Sequence, residues 1–307
     1  MRRLYGDAGY AKLRAARIAV VGVGGVGSWA AEALARSGVA QLVLVDLDHV
    51  AESNINRQVQ ALTPTLRQAK VRALAERIAL IHPGCQVHAV EEFAEAGNWP
   101  ALLTRGAAGA SGINDAGGTA SAGSSASAAG DAAIDVVIDA CDDVRAKEVL
   151  ARWSLEAKVP CIIAGAAGGK RLPEAVQVAG LADVTHDPLL AALRQRLRRA
   201  GVMARGDGQG KRRTGDAARC LLSCVFSREP VAAPATLAAL SALAAGVAAG
   251  EAPACEPAPT NDGSLNCAGY GSSVMVTATF GFVAAAAAVS RVIDSPGPPP
   301  SLAGGTA

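Results

Sequence analysis

Histidine is scarce in this 307-residue chain, with four residues, all scattered, and its seven cysteines include no Cys-x-x-Cys pair. Structural zinc sites need closely spaced Cys and His ligands, and the nearest cysteines, Cys220 and Cys224, have the wrong neighbours, so no structural zinc is expected. No apolar run follows Met1-Arg2-Arg3, which predicts neither a signal peptide nor an N-terminal anchor. Together these point to a cytoplasmic chain with free thiols. Neither sign of charge is in excess. The net charge is +2, so no global field demands nucleic acid or membrane and any basic site is local. Residues 106–133 lack large apolar side chains almost entirely; Gly, Ala and Ser cannot build a core, and the segment reads as a flexible surface insertion.

What is present is ordinary for a globular protein: 50% hydrophobic and 18% charged residues, in a chain long enough for one large core or two small ones. Arg17–Ser28 reads as a short buried strand, a glycine turn and a helix start. The spacing Gly22-x-Gly24-x-x-Gly27 matches the nucleotide-binding fingerprint. Glycine there permits the tight turn, close approach of amides to a phosphate, and close packing of helix on sheet. Gly25 is an extra glycine inside the fingerprint. On its own the turn fits NAD, FAD and ATP alike.

The rest of the chain alternates between strand and helix. Predicted strands cover 18–21, 41–45, 85–90, 134–139, 160–165 and 175–178. Predicted helices cover 1–16, 27–37, 65–81, 144–157 and 187–200, with Thr63-Pro64 as the third helix's start. This predicts an α/β fold, a Rossmann-like doubly wound and mostly parallel sheet with an irregular C-terminal extension. Residues 1–180 are expected to form a nucleotide-binding domain carrying the 106–133 insertion. Residues 181–293 form an extension packed on it, and 294–307 a disordered tail. The apolar stretch Val274–Ile293 nears membrane-spanning length. Its Thr, Ser, Gly and run of alanines favour a buried core helix, with peripheral membrane contact as the alternative.

Three polar clusters follow successive strands. Asp46 stands 19 residues after Gly27, where a dinucleotide unit places its ribose carboxylate. Ser53-Asn54-x-x-Arg57-Gln58, with Lys70 beyond, is not explained by a dinucleotide. A triphosphate explains it. Arg57 supplies a planar fork and Lys70 a point charge for phosphates, and Asn54 and Gln58 can hydrogen-bond ribose or phosphate oxygens. Asp142, in Asp139-x-x-Asp142, can hold Mg²⁺. Taken singly, Asp46 has a simple strand end as its minor alternative, Lys70 is usually a solvated helix lysine, and Arg57 has a surface ion pair as its alternative. Their joint spacing favours a site.

These motifs, Gly22-x-Gly24-Gly25-x-Gly27, Asp46-x-Asp48, Ser53-Asn54-x-x-Arg57-Gln58, Lys70 and Asp139-x-x-Asp142, resemble those of the ubiquitin-activating-enzyme-like adenylyltransferases. Within that superfamily the chain is most similar to the dehydratases that cyclise a threonylcarbamoyl group on an adenosine of tRNA. The similarity rests on Gly24–Arg36, Ser53–Gln58, Asp187-Pro188-Leu189 with the arginine-rich helix after it, Cys224–Ser227 and Met275–Val283.

The resemblance implies ATP and Mg²⁺, with ATP held at Gly22, Gly24, Gly25, Gly27, Asp46, Asp48, Asn54, Arg57, Gln58 and Lys70. It implies Arg57, Lys70 and Asp142 as catalytic groups, and an acyl-adenylate. It further implies tRNA as substrate, a homodimer in which Arg3 crosses to the partner's ATP, and sulfur-transfer proteins as candidate partners.

Between Arg194 and Arg213 stand eight basic residues and one acid. Arg194, Arg196, Arg198, Arg199, Lys211, Arg212 and Arg213 are the candidate tRNA-backbone contacts, against the alternative of a solvated helix face. Cys267 sits in a stretch that resembles a family segment, but a buried or loop thiol is the favoured reading. Activation of a sulfur carrier's C-terminal Gly-Gly, or a scaffold without catalysis, are the competing functions.

Overall fold

The computed structural model describes residues 1–104, 133–203, 221–232 and 270–295. Lys211, Arg212, Arg213 and Cys267, nearly all of 106–133, most of 230–260 and residues 296–307 lie outside the described residues. Seven strands form one sheet: β1 Arg17–Val21, β2 Gln41–Val45, β3 Gln86–Val90, β4 Val136–Asp139, β5 Cys161–Ala164, β6 Val176–Gly180 and β7 Leu222–Ser227. Their order is β3-β2-β1-β4-β5-β7-β6. All neighbours are parallel except the edge strand β6, which runs antiparallel to β7. The strand β7 was not visible as a strand in the sequence, and it inserts between β5 and the edge strand β6.

Among the described residues six helices accompany it: α1 Arg2–Ala15, α2 Gly27–Arg36, α3 Lys70–Ile81, α4 Val144–Ala157, α5 Pro188–Arg199 and α6 Val274–Asp294. Central strands are continuous apolar runs because both faces of the sheet are covered. In β1, Ile18 and Val20 join a core with α1, α2, α3 and α6, while Ala19 and Val21 join a second core with α4 and α5. The alternation follows from the period of two along a strand.

Two details correct the expected boundaries. Helix α3 begins at Lys70, not near Thr65. Thr63–Thr65 forms only a short 3₁₀ turn, and the next residues run antiparallel to the 48–50 segment. Val50 donates to the Gln68 carbonyl at 2.8 Å and Arg67 to the Val50 carbonyl at 2.9 Å. Those long-range bonds withhold the segment from the helix and place Lys70 in its first turn. Helix α1 is interrupted at Gly6, whose φ of 71° is not helical.

Helix α6 is long and apolar enough to cross a membrane, with 56% of its apolar window buried inside the structure. Val276, Phe280, Ala284 and Ala288 are fully buried against α2 and the sheet, as a core helix would be. Gly281 sets the crossing. A Cβ there would lie 2.5 Å from the Val26 carbonyl oxygen and 2.8 Å from Trp29 Cβ. The close approach brings the first turn of α6 beside the glycine turn.

Candidate active site

Strand order reverses between β1 and β4, and ligands of open α/β sheets bind beyond the carboxyl ends of strands at such a point. There a cleft of about 860 Å³ opens, lined by Gly22, Gly24, Gly25, Asp46, Asp48, Asn54, Arg57, Gln58, Lys70 and Asp142 among others. Of the nucleotide residues expected from the sequence only Gly27 is not on the wall, and its part is structural. A Cβ there would sit 1.8 Å from the Gly22 carbonyl oxygen. Gly22, at φ 83°, abuts β4, where an added Cβ would meet the Cys141 amide nitrogen at 2.8 Å. Gly24 is open, with Gln58 Nε2 the nearest atom at 3.8 Å, so its backbone faces the cleft freely. Helix α2 begins at Gly27, and its N-terminal amides favour an anion at the turn.

Asp46 closes the turn from β2. Its Oδ2 accepts the Val23 amide at 2.8 Å and its Oδ1 the Asp48 amide at 2.9 Å. Burial raises its pKa above the usual carboxylate value, against the pull of Lys70. Lys70 is itself buried, and its Nζ lies 2.7 Å from the exposed Asp48 Oδ2. Asn54 is buried and accepts the Ala51 amide at 3.1 Å, which caps the Glu52–Asn54 turn. Gln58 Oε1 accepts from Gln60 Nε2, which also donates to the Val23 carbonyl at 2.8 Å. Arg57 Nη1 donates to the Ser53 carbonyl at 2.7 Å and to Asn56 Oδ1 at 3.0 Å, while the Arg57 carbonyl accepts Trp29 Nε1 at 2.9 Å. The polar segment is thus fastened to the glycine turn and to α2 before any ligand arrives.

The two aspartates of Asp139-x-x-Asp142 differ completely. Asp142 is exposed on the cleft wall. Asp139 is fully buried, and its Oδ1 lies 3.0 Å from Nζ of Lys147, also fully buried. Burial alone would lower the Lys147 pKa, but the Asp139 carboxylate beside it raises it above the ordinary lysine value. Cys141 donates its thiol to Asp139 Oδ1 at 2.8 Å, and Asp143 caps α4. The ion pair therefore closes a ring from β4 through the Cys141–Asp143 turn to the first turn of α4, with Asp142 at its apex. Sequence reasoning missed Lys147; its signal was a lysine four residues after a capping aspartate. Asp187, singled out only as part of a stretch of resemblance, was not recognised as a site residue; its Oδ2 accepts the Ala166 amide at 2.9 Å and holds the cleft wall after β5.

The basic helix is not a uniform face. Arg194 Nη1 donates to the Leu181 and Val184 carbonyls at 3.2 and 2.9 Å, and Arg196 pairs with Glu148 at 2.5 Å. Arg198 is half-buried, and Arg199 is exposed. Arg3 is exposed on α1 and is not part of its own chain's cleft wall. Among the described residues no three His, Cys, Asp or Glu side chains group to hold a metal.

A family model described as the ThiF family matches residues 1–303. The chain is 36% identical over 296 residues to the tRNA threonylcarbamoyladenosine dehydratase of Escherichia coli (strain K12), covering 95% of this chain and 91% of that protein. It is 35% identical over 293 residues to the protein of the same name from Haemophilus influenzae, covering 95% and 90%. A crystal structure of the E. coli tRNA N6-threonylcarbamoyladenosine dehydratase in complex with ATP superposes with a TM-score of 0.67 at 32% identity, covering 95% of this chain and 91% of that one.

Proposed function

The chain belongs to the ThiF family, and from that premise we propose that it is an ATP-dependent tRNA threonylcarbamoyladenosine dehydratase. It activates the threonyl carboxylate of N6-threonylcarbamoyladenosine as an acyl-adenylate, which then cyclises. The observation that carries this reading is the convergence of the glycine turn, Arg57, Lys70 and Asp142 on one cleft, in a chain matched over 95% of its length by dehydratases of that name.

The residues divide the work. Open backbone at Gly24 and the N-terminus of α2 receive phosphate. Asp46 spends one lone pair of each oxygen on amides and keeps others for ribose hydroxyls. The carboxylate oxygen attacks the α-phosphorus and pyrophosphate leaves. Arg57 and Lys70 neutralise charge developing there, Lys70 exchanging Asp48 for phosphate.

A single exposed carboxylate completed by phosphate oxygens is how Mg²⁺ is commonly held, so Asp142 fits that ion. Bound there, Mg²⁺ would supply further charge neutralisation. Ring closure then needs only proximity, as a group of the same threonylcarbamoyl unit attacks the activated carbonyl and AMP leaves. No thiol is needed. Burial pushes Cys141, Cys161 and Cys224 well above the usual thiol range, away from nucleophilic thiolates.

The reading includes a homodimer, in which Arg3 reaches a partner's cleft, and a cytoplasmic location with the tRNA. It is tested by incubating the protein with ATP, Mg²⁺ and tRNA carrying threonylcarbamoyladenosine, then weighing the nucleosides. ATP-dependent loss of one water is expected. An unchanged nucleoside, with pyrophosphate exchange stimulated by a Gly-Gly-ending carrier protein instead, would overturn it.

A further inference from the structure

Thr277 lies in the first turn of α6 and is 1% exposed, yet its Oγ1 is buried with no hydrogen-bond partner among the described residues. Buried hydroxyls are almost always paired, and an orphan needs an explanation. A helical threonine usually satisfies itself on the carbonyl four residues back. Thr279 does so, donating to the Met275 carbonyl at 2.7 Å. Thr277 does not, and it lines the cleft.

Its surroundings select the chemistry it meets. A Cβ built on Gly25 would lie 3.4 Å from Thr277 Cβ and 3.3 Å from Arg57 Cγ, so threonine and arginine flank the same glycine. The first turns of α2 and α6 stand there as well, and both favour negative charge. Asp46, the carboxylate suited to ribose, approaches the turn from β2 instead.

We propose that Thr277 is a nucleotide-contacting residue whose hydroxyl donates to a phosphate oxygen of ATP bound over the glycine turn. The inference rests on reading the cleft as an ATP site. A phosphate oxygen can only accept, and the Thr277 hydroxyl is a donor with no other acceptor among the described residues. The C-terminal helix therefore does more than cover the sheet: Gly281 lets it approach α2 closely enough to deliver this hydroxyl.

Valine matches threonine in shape and removes only the hydroxyl, which separates binding from packing. Titration calorimetry of wild type, Thr277→Val and Thr277→Ser with ATP and with adenosine, alongside melting without nucleotide, tests the proposal. The valine variant is expected to melt at or above the wild-type temperature, because an unpaired buried hydroxyl is gone. It is expected to bind ATP roughly 5- to 15-fold more weakly, with adenosine affinity unchanged and serine restoring ATP affinity. Wild-type ATP affinity in the valine variant, or an equal loss for adenosine and ATP, would overturn the proposal while leaving the function standing. Wild-type protein that binds no ATP would instead overturn the functional reading, and this inference with it.

Discussion

Lys70 Nζ lies 2.7 Å from Asp48 Oδ2 while the Lys70 amide donates to the Asp48 carbonyl at 2.9 Å, so one aspartate holds both ends of a cleft lysine. The aspartate side chain is 56% exposed, which makes the ion pair a weak contributor to stability. Its value is positional: the ammonium waits at the cleft wall. Lys70→Met should therefore change unfolding free energy by no more than about 1 kcal/mol. The same variant should lower kcat for AMP formation by about 10²- to 10³-fold, the scale of losing one preorganised charge donor. Denaturant unfolding and steady-state AMP release measure the two sides. A variant that unfolds early and retains turnover would reverse the assignment.

Gly24 and Gly27 look alike in the motif but answer to different constraints. An added methyl at Gly27 meets the Gly22 carbonyl at 1.8 Å, within the turn itself, whereas at Gly24 it meets nothing closer than 3.8 Å. Gly27→Ala should destabilise the fold by about 2–3 kcal/mol through forced backbone shifts. Gly24→Ala should fold within about 1 kcal/mol of wild type, since small surface changes cost little. Its ATP affinity should nevertheless fall at least tenfold, because the methyl occupies the space a phosphate needs. Melting temperature and ATP titration, read together, should separate the two glycines.

The elements that were legible are those whose pattern is local. The apolar runs of β1, β2 and β4, the glycine turn, and the helix Val144–Ala157 could all be read directly, whereas the role of Asp143 as that helix's cap emerged only from the structure. The start of α3 was not, because the pairing of residues 67–69 with 48–50 overrides a sound local start signal at Thr63-Pro64. Strand β7 was hidden for the same reason, its partners β5 and β6 being remote in sequence. The site residues Asp46, Arg57, Lys70 and Asp142 do converge. What motif spacing could not reveal is that Asp139 is spent internally on Lys147, or that Thr277 joins the wall from the other end of the chain. Both depend on burial, which a one-dimensional pattern does not encode.

Glu32 joins two of the helices that frame the cleft. Its carboxylate receives Arg36 Nε from α2 at 2.9 Å and Arg77 Nε from α3 at 2.6 Å, and it is 5% exposed. Burial works to raise its pKa, but the two guanidiniums prevail and hold it below 4.5. A carboxylate with a depressed folded-state pKa contributes stability above its unfolded pKa and loses it as pH falls through the folded value. Glu32→Gln should thus cost about 1–2 kcal/mol at neutral pH, discounted for the partly exposed arginines. The difference from wild type should shrink steadily as pH falls below 4.5. Urea unfolding of both proteins across that range measures it, and a penalty independent of pH would mean that packing rather than charge is lost.

Arg194 and Arg199 share a helix and a charge, yet of the two only Arg199 is exposed enough to meet a phosphate backbone. Arg194 is committed to carbonyls of the Leu181–Val184 turn, while Arg199 is exposed at the helix end. With a rise of about 1.5 Å per residue, Arg199 stands about 15 Å along the axis from Leu189 on the cleft wall, a span that suits contact with tRNA beyond the modified base. Arg199→Ala should leave melting unchanged. It should weaken tRNA binding and reduce the slope of log affinity against log salt by about one phosphate contact. Arg194→Ala should do the opposite, destabilising the fold by about 1–3 kcal/mol through unpaired carbonyls with the salt slope preserved. Filter binding across a salt series, paired with melting curves, distinguishes the two. An Arg199 variant with an unaltered slope would remove this helix end from the tRNA path.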